Sequence, residues 1–268
     1  DGSVEELSGF TIGGSGIEAF VGVGPYFVDS DGDGVIEPTD TRSDDAIGLA
    51  IEDLSFGISV LTSTTPRYKF TTFAATAASA EIVGLGDFVT ARLENISVAV
   101  NLGKDSQNVA SNVAIDFSAE PFEVETGGTP ITFDFDTKII RAEALVTFAI
   151  SDFIFIKGNF AFEKSSGHSV TLTDGSTLTV DALTIGGSNI TAFVGLGPYF
   201  IDGTDQTNPD AIGLEIVDLE FGIAMFKQSG TAPQPKKFFS MIANADDVNF
   251  LGLPTSDSVI FDIRDISI

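Results

Sequence analysis

The sequence predicts an all-β protein, an elongated roll or sandwich of long, bulged, mostly antiparallel strands. Three observations carry this reading: apolar and polar residues alternate with period 2 along most of the chain, 28 Gly and 10 Pro fall mainly between those runs, and helical periodicity is nearly absent. A β-solenoid-like stacking of the strands is the alternative architecture. The length of 268 residues fits one large β unit or two ordinary domains.

The first element belongs to a repeat. Thr11 to Asp29 returns as Thr184 to Asp202, identical at 15 of 19 positions at an offset of 173. Ala46 to Ile58 returns as Ala211 to Ile223, with 10 of 13 identities at an offset of 165, so the first copy holds eight extra residues between the two blocks. Leu93-Glu94-Asn95-Ile96 aligns more weakly with Ile263-Arg264-Asp265-Ile266. Residues 1–98 therefore read as the C-terminal part of one repeat unit, 99–172 as a unit-to-unit β segment without an internal copy, and 173–268 as the matching part of a second unit. One continuous β architecture is expected. With a period of about 170 residues, the chain reads as a window on an array; a single duplication giving two domains is the competing origin.

Between the repeat blocks the strands are read one by one. Ile131 to Asp136 and Phe153 to Ile156 alternate as strands do, and Val170 to Val180 alternates on both sides of Asp174-Gly175, the signature of a tight hairpin. Phe73 to Ala80 is the one stretch that admits a helix. The pattern apolar-x-Asp/Asn-apolar-x-apolar recurs around Asp53, Asn95, Asp152, Asp218 and Asp265, each time slipping the alternation by one residue. Such a slip marks a β-bulge, where Asp and Asn tolerate unusual backbone angles; a loop between separate strands is the other reading.

Composition bounds the function. With 13 Lys and Arg against 39 Asp and Glu, the net charge is −26, which opposes binding to nucleic acid or to an anionic membrane surface. There is no Cys, hence no disulfide framework, thiol nucleophile or thiolate zinc site. The chain opens Asp1-Gly2-Ser3 without a leader-like segment and is read as a fragment or mature chain. Ala182 to Ile201 carries no charge, but its four Gly, its Pro and its polar residues make it a poor membrane helix, so no transmembrane segment is expected.

The eight-residue insertion carries the most specific chemistry. Asp29-Ser30-Asp31-Gly32-Asp33-Gly34-Val35-Ile36-Glu37-Pro38-Thr39-Asp40 places oxygen ligands at loop positions 1, 3, 5 and 12, Gly at 6, a backbone carbonyl at 7 and an apolar residue at 8. The Asp29, Asp31, Asp33 and Asp40 carboxylates and the Val35 carbonyl are the expected calcium ligands, with Glu37 contributing directly or through water. An acidic turn is the plainer alternative. The loop resembles that of dockerins and related secreted calcium-binding repeats, over these twelve residues only.

Enzyme signals are weak. His168, the single His, lies in a polar stretch and reads as an exposed loop residue, with no recognisable nucleophile motif. Gly22-Val23-Gly24 lacks the third Gly and the helix of a dinucleotide fingerprint, and Gly13 to Ile17 lacks the last Gly of a nucleophile elbow. A glycosidase carboxylate pair is left open, although the absence of Trp disfavours a sugar-stacking cleft. The 24 Phe read as filling between β layers, or alternatively as the lining of a lipid groove.

The Phe-Val-Gly-Val/Leu-Gly-Pro-Tyr-Phe phrase, the Ala-Ile-Gly-Leu block and the acidic loop together resemble modules repeated in tandem in giant secreted bacterial proteins of adhesin or surface-matrix type. That resemblance implies an extracellular, non-enzymatic building block at the bacterial cell surface. Its partners would be neighbouring repeat units of the same or identical chains, and cell-surface or matrix components. A hydrophobic-ligand carrier and a carbohydrate-binding or carbohydrate-active module are the alternative functions.

Overall fold

In a computed structural model the protein is described over residues 6–37, 39–63, 68–201, 204, 206–230, 233–252 and 262–267. The strands are β1 (Leu7–Val23), β2 (Phe27–Val28), β3 (Thr41–Arg42), β4 (Ile47–Ser63), β5 (Lys69–Val83), β6 (Val89–Lys104), β7 (Ala110–Ser111), β8 (Phe122–Val124), β9 (Ile131–Phe133), β10 (Ile139–Ile150), β11 (Ile154–Thr171), β12 (Thr177–Leu196), β13 (Ile212–Gln228), β14 (Lys237–Leu251) and β15 (Asp262–Ser267). Ten of them form one antiparallel sheet in the order β1-β4-β5-β6-β10-β11-β12-β13-β14-β15, with β7 added beside β6. The all-β class with long antiparallel strands is as expected. The connectivity is a meander rather than the rungs of a solenoid, and the sheet does not close into a barrel among the described residues.

The second repeat copy continues this sheet. β12, β13 and β14 occupy the places relative to one another that β1, β4 and β5 hold in the first copy, and β11 joins the copies by pairing with β12 from Ile154↔Val194 to Thr171↔Thr177. The predicted hairpin at Asp174-Gly175 makes this junction: Gly175 takes φ +83°, and Leu172 N–H donates to the Ser176 carbonyl at 2.8 Å. Phe155, at the start of β11, stacks on Tyr199 of the second copy with centroids 5.3 Å apart.

The repeated phrase encodes a local plug. Gly22 lies opposite Gly48, and Gly195 opposite Gly213, leaving a bare strip of backbone on each copy. The rings of Phe20 and Phe193 fill those strips; a Cβ on Gly22 or Gly195 would stand 2.5 Å from the covering ring. Tyr26 stacks on Phe20 at 4.9 Å, and Tyr199 meets Phe193 at 5.3 Å. Each loop is thereby folded back onto its sheet, giving the buried clusters Tyr26–Ala46–Ala50 and Phe193–Tyr199–Ala211. One polar position is rearranged: Tyr199 donates to the buried Glu215 at 2.5 Å, whereas Ala50 stands at the place of Glu215 in the first copy and the Tyr26 hydroxyl has no partner.

A third plug covers β1, β4 and β5 and comes from residues 112–137, which carry the short β8–β9 hairpin. Phe117, Val124 and Phe133 are buried there, packed with Ile115, Ile131, Phe135 and Ala74. Its floor is made of small side chains, with Gly13, Gly57 and Ala74 opposite one another on three strands. Asn101 of β6, fully buried, donates to the Ile115 carbonyl at 2.7 Å and the Thr137 carbonyl at 3.0 Å, pinning both ends of the segment.

The bulge pattern is realised with a positive φ at three sites. Asp53, Asn95 and Asp218 take φ of +50°, +52° and +51° inside continuous strands. Gly16 and Asn189 supply matching bulges on β1 and β12, so the register slips and then recovers along both β1–β4 and β12–β13. Asp53 and Asn95 both fall opposite Ala78, and the remaining bulges continue the same transverse line across the sheet. At Asp152 the loop reading holds instead, since β10 ends at Ile150, Phe153 N–H donates to the Ile150 carbonyl, and β11 begins at Ile154. Around Asp265 the ladder to β14 leaves out Asp246 and Asp265, as the β5–β6 ladder leaves out Ala78 and Asn95.

Three further expectations are corrected. Phe73 to Ala80 is strand, not helix: it pairs with β4 on one side and β6 on the other, Ala74 lies under the hairpin, and that context overrides helix propensity. The strand expected over Ile131 to Asp136 ends at Phe133, beyond which the chain turns back toward Asn101. His168 lies on β11 at a bulge rather than in a loop, its Nε2 2.7 Å from the buried Ser165 Oγ.

Candidate metal centre

The acidic insertion is held between two short strands, β2 and β3, paired through Phe27↔Arg42 and Val28↔Thr41. Beneath it the neck of the loop is common to both copies. Ser43 N–H donates to the Tyr26 carbonyl and Ala46 N–H to the Ser43 carbonyl; in the second copy Asn208 and Ala211 make the same two bonds, with Tyr199 in the place of Tyr26. The neck therefore closes with or without the acidic loop. Arg42 is anchored beside it, its guanidinium 5.6 Å from the centre of the Tyr26 ring and paired with Glu52.

Within the loop, backbone N–H groups turn the carboxylates inward. Gly32 and Gly34, at φ +79° and +85°, donate to Asp29 Oδ1 and Oδ2 at 2.6 and 3.0 Å. Asp33 N–H donates to Asp31 at 3.1 Å and Val35 N–H to Asp33 at 2.7 Å. The last acid folds back to the start: Asp40 Oδ1 accepts from Ser30 N–H at 2.9 Å and Ser30 Oγ at 3.0 Å, and Oδ2 accepts from Glu37 N–H at 3.0 Å. These donors, led by the Ser30 amide, hold the Asp40 carboxyl below its ordinary pKa.

One carboxylate oxygen from each of Asp29, Asp31 and Asp40 lies within 4.8 Å of the others, and Asp31, Asp33 and Glu37 form a second such group sharing Asp31. The five acids predicted from the spacing thus fall into two groups of three that meet at Asp31, with Val35 between Asp33 and Glu37 in the chain. Each carboxylate oxygen that accepts one backbone N–H keeps a lone pair to offer, so an oxygen-rich set of this kind fits a hard dication. Sequence reasoning missed Ser30, whose amide and hydroxyl tie the two ends of the loop together; only the fold-back of Asp40 reveals that role.

A depression of about 530 Å³ lies on the sheet face over β10 to β14, and Phe162 is the single aromatic ring in its lining. No helix of the described residues is long and apolar enough to cross a membrane. Comparison with protein-family models, with curated proteins and with solved structures gives no match.

Proposed function

We propose that the chain is a non-catalytic structural or adhesive repeat module of a large secreted bacterial surface protein, with its acidic loop stiffened by calcium. The observation that carries this reading is the β11–β12 junction. One repeat copy runs into the next through the same antiparallel pairing that holds each copy together, so tandem units extend a single sheet without an added interface. The loop supports calcium through five carboxylates gathered on a neck that forms independently of them, which fits a stiffening ion better than a folding nucleus. A net charge of −26 suits a protein kept soluble in a salty, calcium-containing medium. Its partners are further units of its own kind and components of the cell surface or matrix. Sequencing the complete reading frame tests the proposal: many tandem copies of the unit are expected, and a frame with one pair alone overturns it.

A further inference from the structure

The two repeat copies share a Gly-Gly pair in the floor but differ in cover. In the first copy, Ser59, Thr72 and Asn101 form one fully buried row across three strands. Gly13 and Gly57 lie in the neighbouring row on the same face. Both rows sit under the segment carrying β8 and β9. Glycine is required in this position, because a Cβ on Gly13 would stand 2.3 Å from the Glu125 carbonyl oxygen and one on Gly57 would stand 3.1 Å from Ile131 and Val124.

The second copy repeats that pair in the same register. Thr184, Ala224 and Ser240 form one row, and Gly186, Gly222 and Ile242 the next. Among the described residues nothing lies over them. A Cβ on Gly186 would meet no atom closer than 3.8 Å and one on Gly222 none closer than 3.6 Å; Ser240 is exposed, and Ile242 is 57% exposed. These rows floor the depression of about 530 Å³. Glycine inside an uncovered strand is unfavourable and serves no packing purpose there. Its retention at both places marks a surface shaped for close approach of another backbone.

We infer that this depression is the seat of a β-hairpin of the β8–β9 kind, supplied by a further copy of the repeat unit. The hairpin lies across Gly186 and Gly222 as residues 112–137 lie across Gly13 and Gly57. It staples the unit that carries it onto the strands before it. Ile242, standing where the first copy has Ala74, fills part of the space, so the natural occupant carries a smaller side chain than Ile131 or Phe133 at the facing position. The inference rests on the array reading and deepens it by naming the contact between units.

The test compares two proteins, the 268-residue chain and the same chain continued past Ile268 by a second copy of residues 99–172. Both carry Ile242→Ala, which restores the Gly-Gly-Ala floor of the first copy. Gly222→Leu is then added to each. In the shorter chain the substitution meets open space and shifts Tm by about 1 °C or less; in the longer chain it collides with the docked hairpin and lowers Tm by about 5 °C or more. A silent Gly222→Leu in a longer chain whose strand content and maximum dimension in small-angle scattering have grown overturns the seat and leaves the array standing. A continuation that adds neither strand signal nor length overturns both.

Discussion

Asn101 fastens both ends of the covering segment to the sheet, and its truncation gives the sharpest test of how that segment is held. The side chain is fully buried and makes three hydrogen bonds: it donates to the carbonyls of Ile115 and Thr137, and its Oδ1 accepts from Thr72 Oγ1 at 3.3 Å. Asn101→Ala removes all three. At about 1 kcal/mol net for each bond the loss is about 3 kcal/mol, rising toward about 5 kcal/mol because the abandoned carbonyls and hydroxyl stay out of reach of water. For a chain of this size that corresponds to a fall in Tm of about 6–12 °C. Urea denaturation measures the total, and amide exchange locates it, with the amides of Phe117, Val124 and Phe133 losing protection ahead of those in β12 to β14. Asn101→Asp is expected to cost at least as much at neutral pH, since a carboxylate accepts but cannot donate to either carbonyl. A loss below about 1 kcal/mol, or one spread evenly over the sheet, refutes the pinning role.

The other predictions follow from the bulges, the buried tyrosine and the acidic loop. Asn95→Val and Asn189→Val force β-branched residues to the φ of +52° held at both sites and should each cost about 1–2 kcal/mol in urea denaturation, whereas Gly at either site should be nearly neutral. Burial, and then Glu215, push the Tyr199 hydroxyl up to about 12. The folded state thus keeps a proton that the unfolded state sheds near pH 10, so this contribution is complete below about pH 10 and is lost as pH rises toward 12. Denaturation midpoints across that range should fall, and Glu215→Gln should narrow the fall without abolishing it, because burial is the larger cause. Calcium at about 100 times its dissociation constant should add about 2.7 kcal/mol of stability, seen as a Tm rise of about 5–10 °C that Asp31→Ala, which removes the acid shared by both groups, abolishes. No rise at millimolar calcium would remove the ion from the proposal.

Much of the architecture was legible because it is local. Alternation reported the strands, Asp174-Gly175 reported the hairpin, and the phase slip at Asp53, Asn95 and Asp218 reported bulges before any backbone angle was seen. The same pattern misled at Asp152, where the slip comes from a turn and where the residue with positive φ is Ser151. The Ala residues of β5 misled for the opposite reason, since the strand is fixed by its two neighbours and the small size of Ala74 serves a hairpin arriving from more than forty positions further along the chain. The acidic residues of the metal centre were legible from spacing. The use of Ser30 was not, because it depends on where Asp40 folds, and the pairing of Gly13 and Gly57 under the hairpin depends on contacts more than sixty residues apart. Periodicity and loop spacing record what a residue does with near neighbours; cover is decided at long range.

The open sheet has an end effect like that of a linear polymer. Its described part has two outermost strands, β1 and β15, and every strand between them has a neighbour on each side. An unpaired strand edge is an invitation to aggregate, and proteins ordinarily blunt each one separately. In a tandem array a new unit covers one edge as it presents another, so the number of edges stays at two however many units are joined. The hazard per residue therefore falls in inverse proportion to length, and the longest arrays need the least protection for each unit.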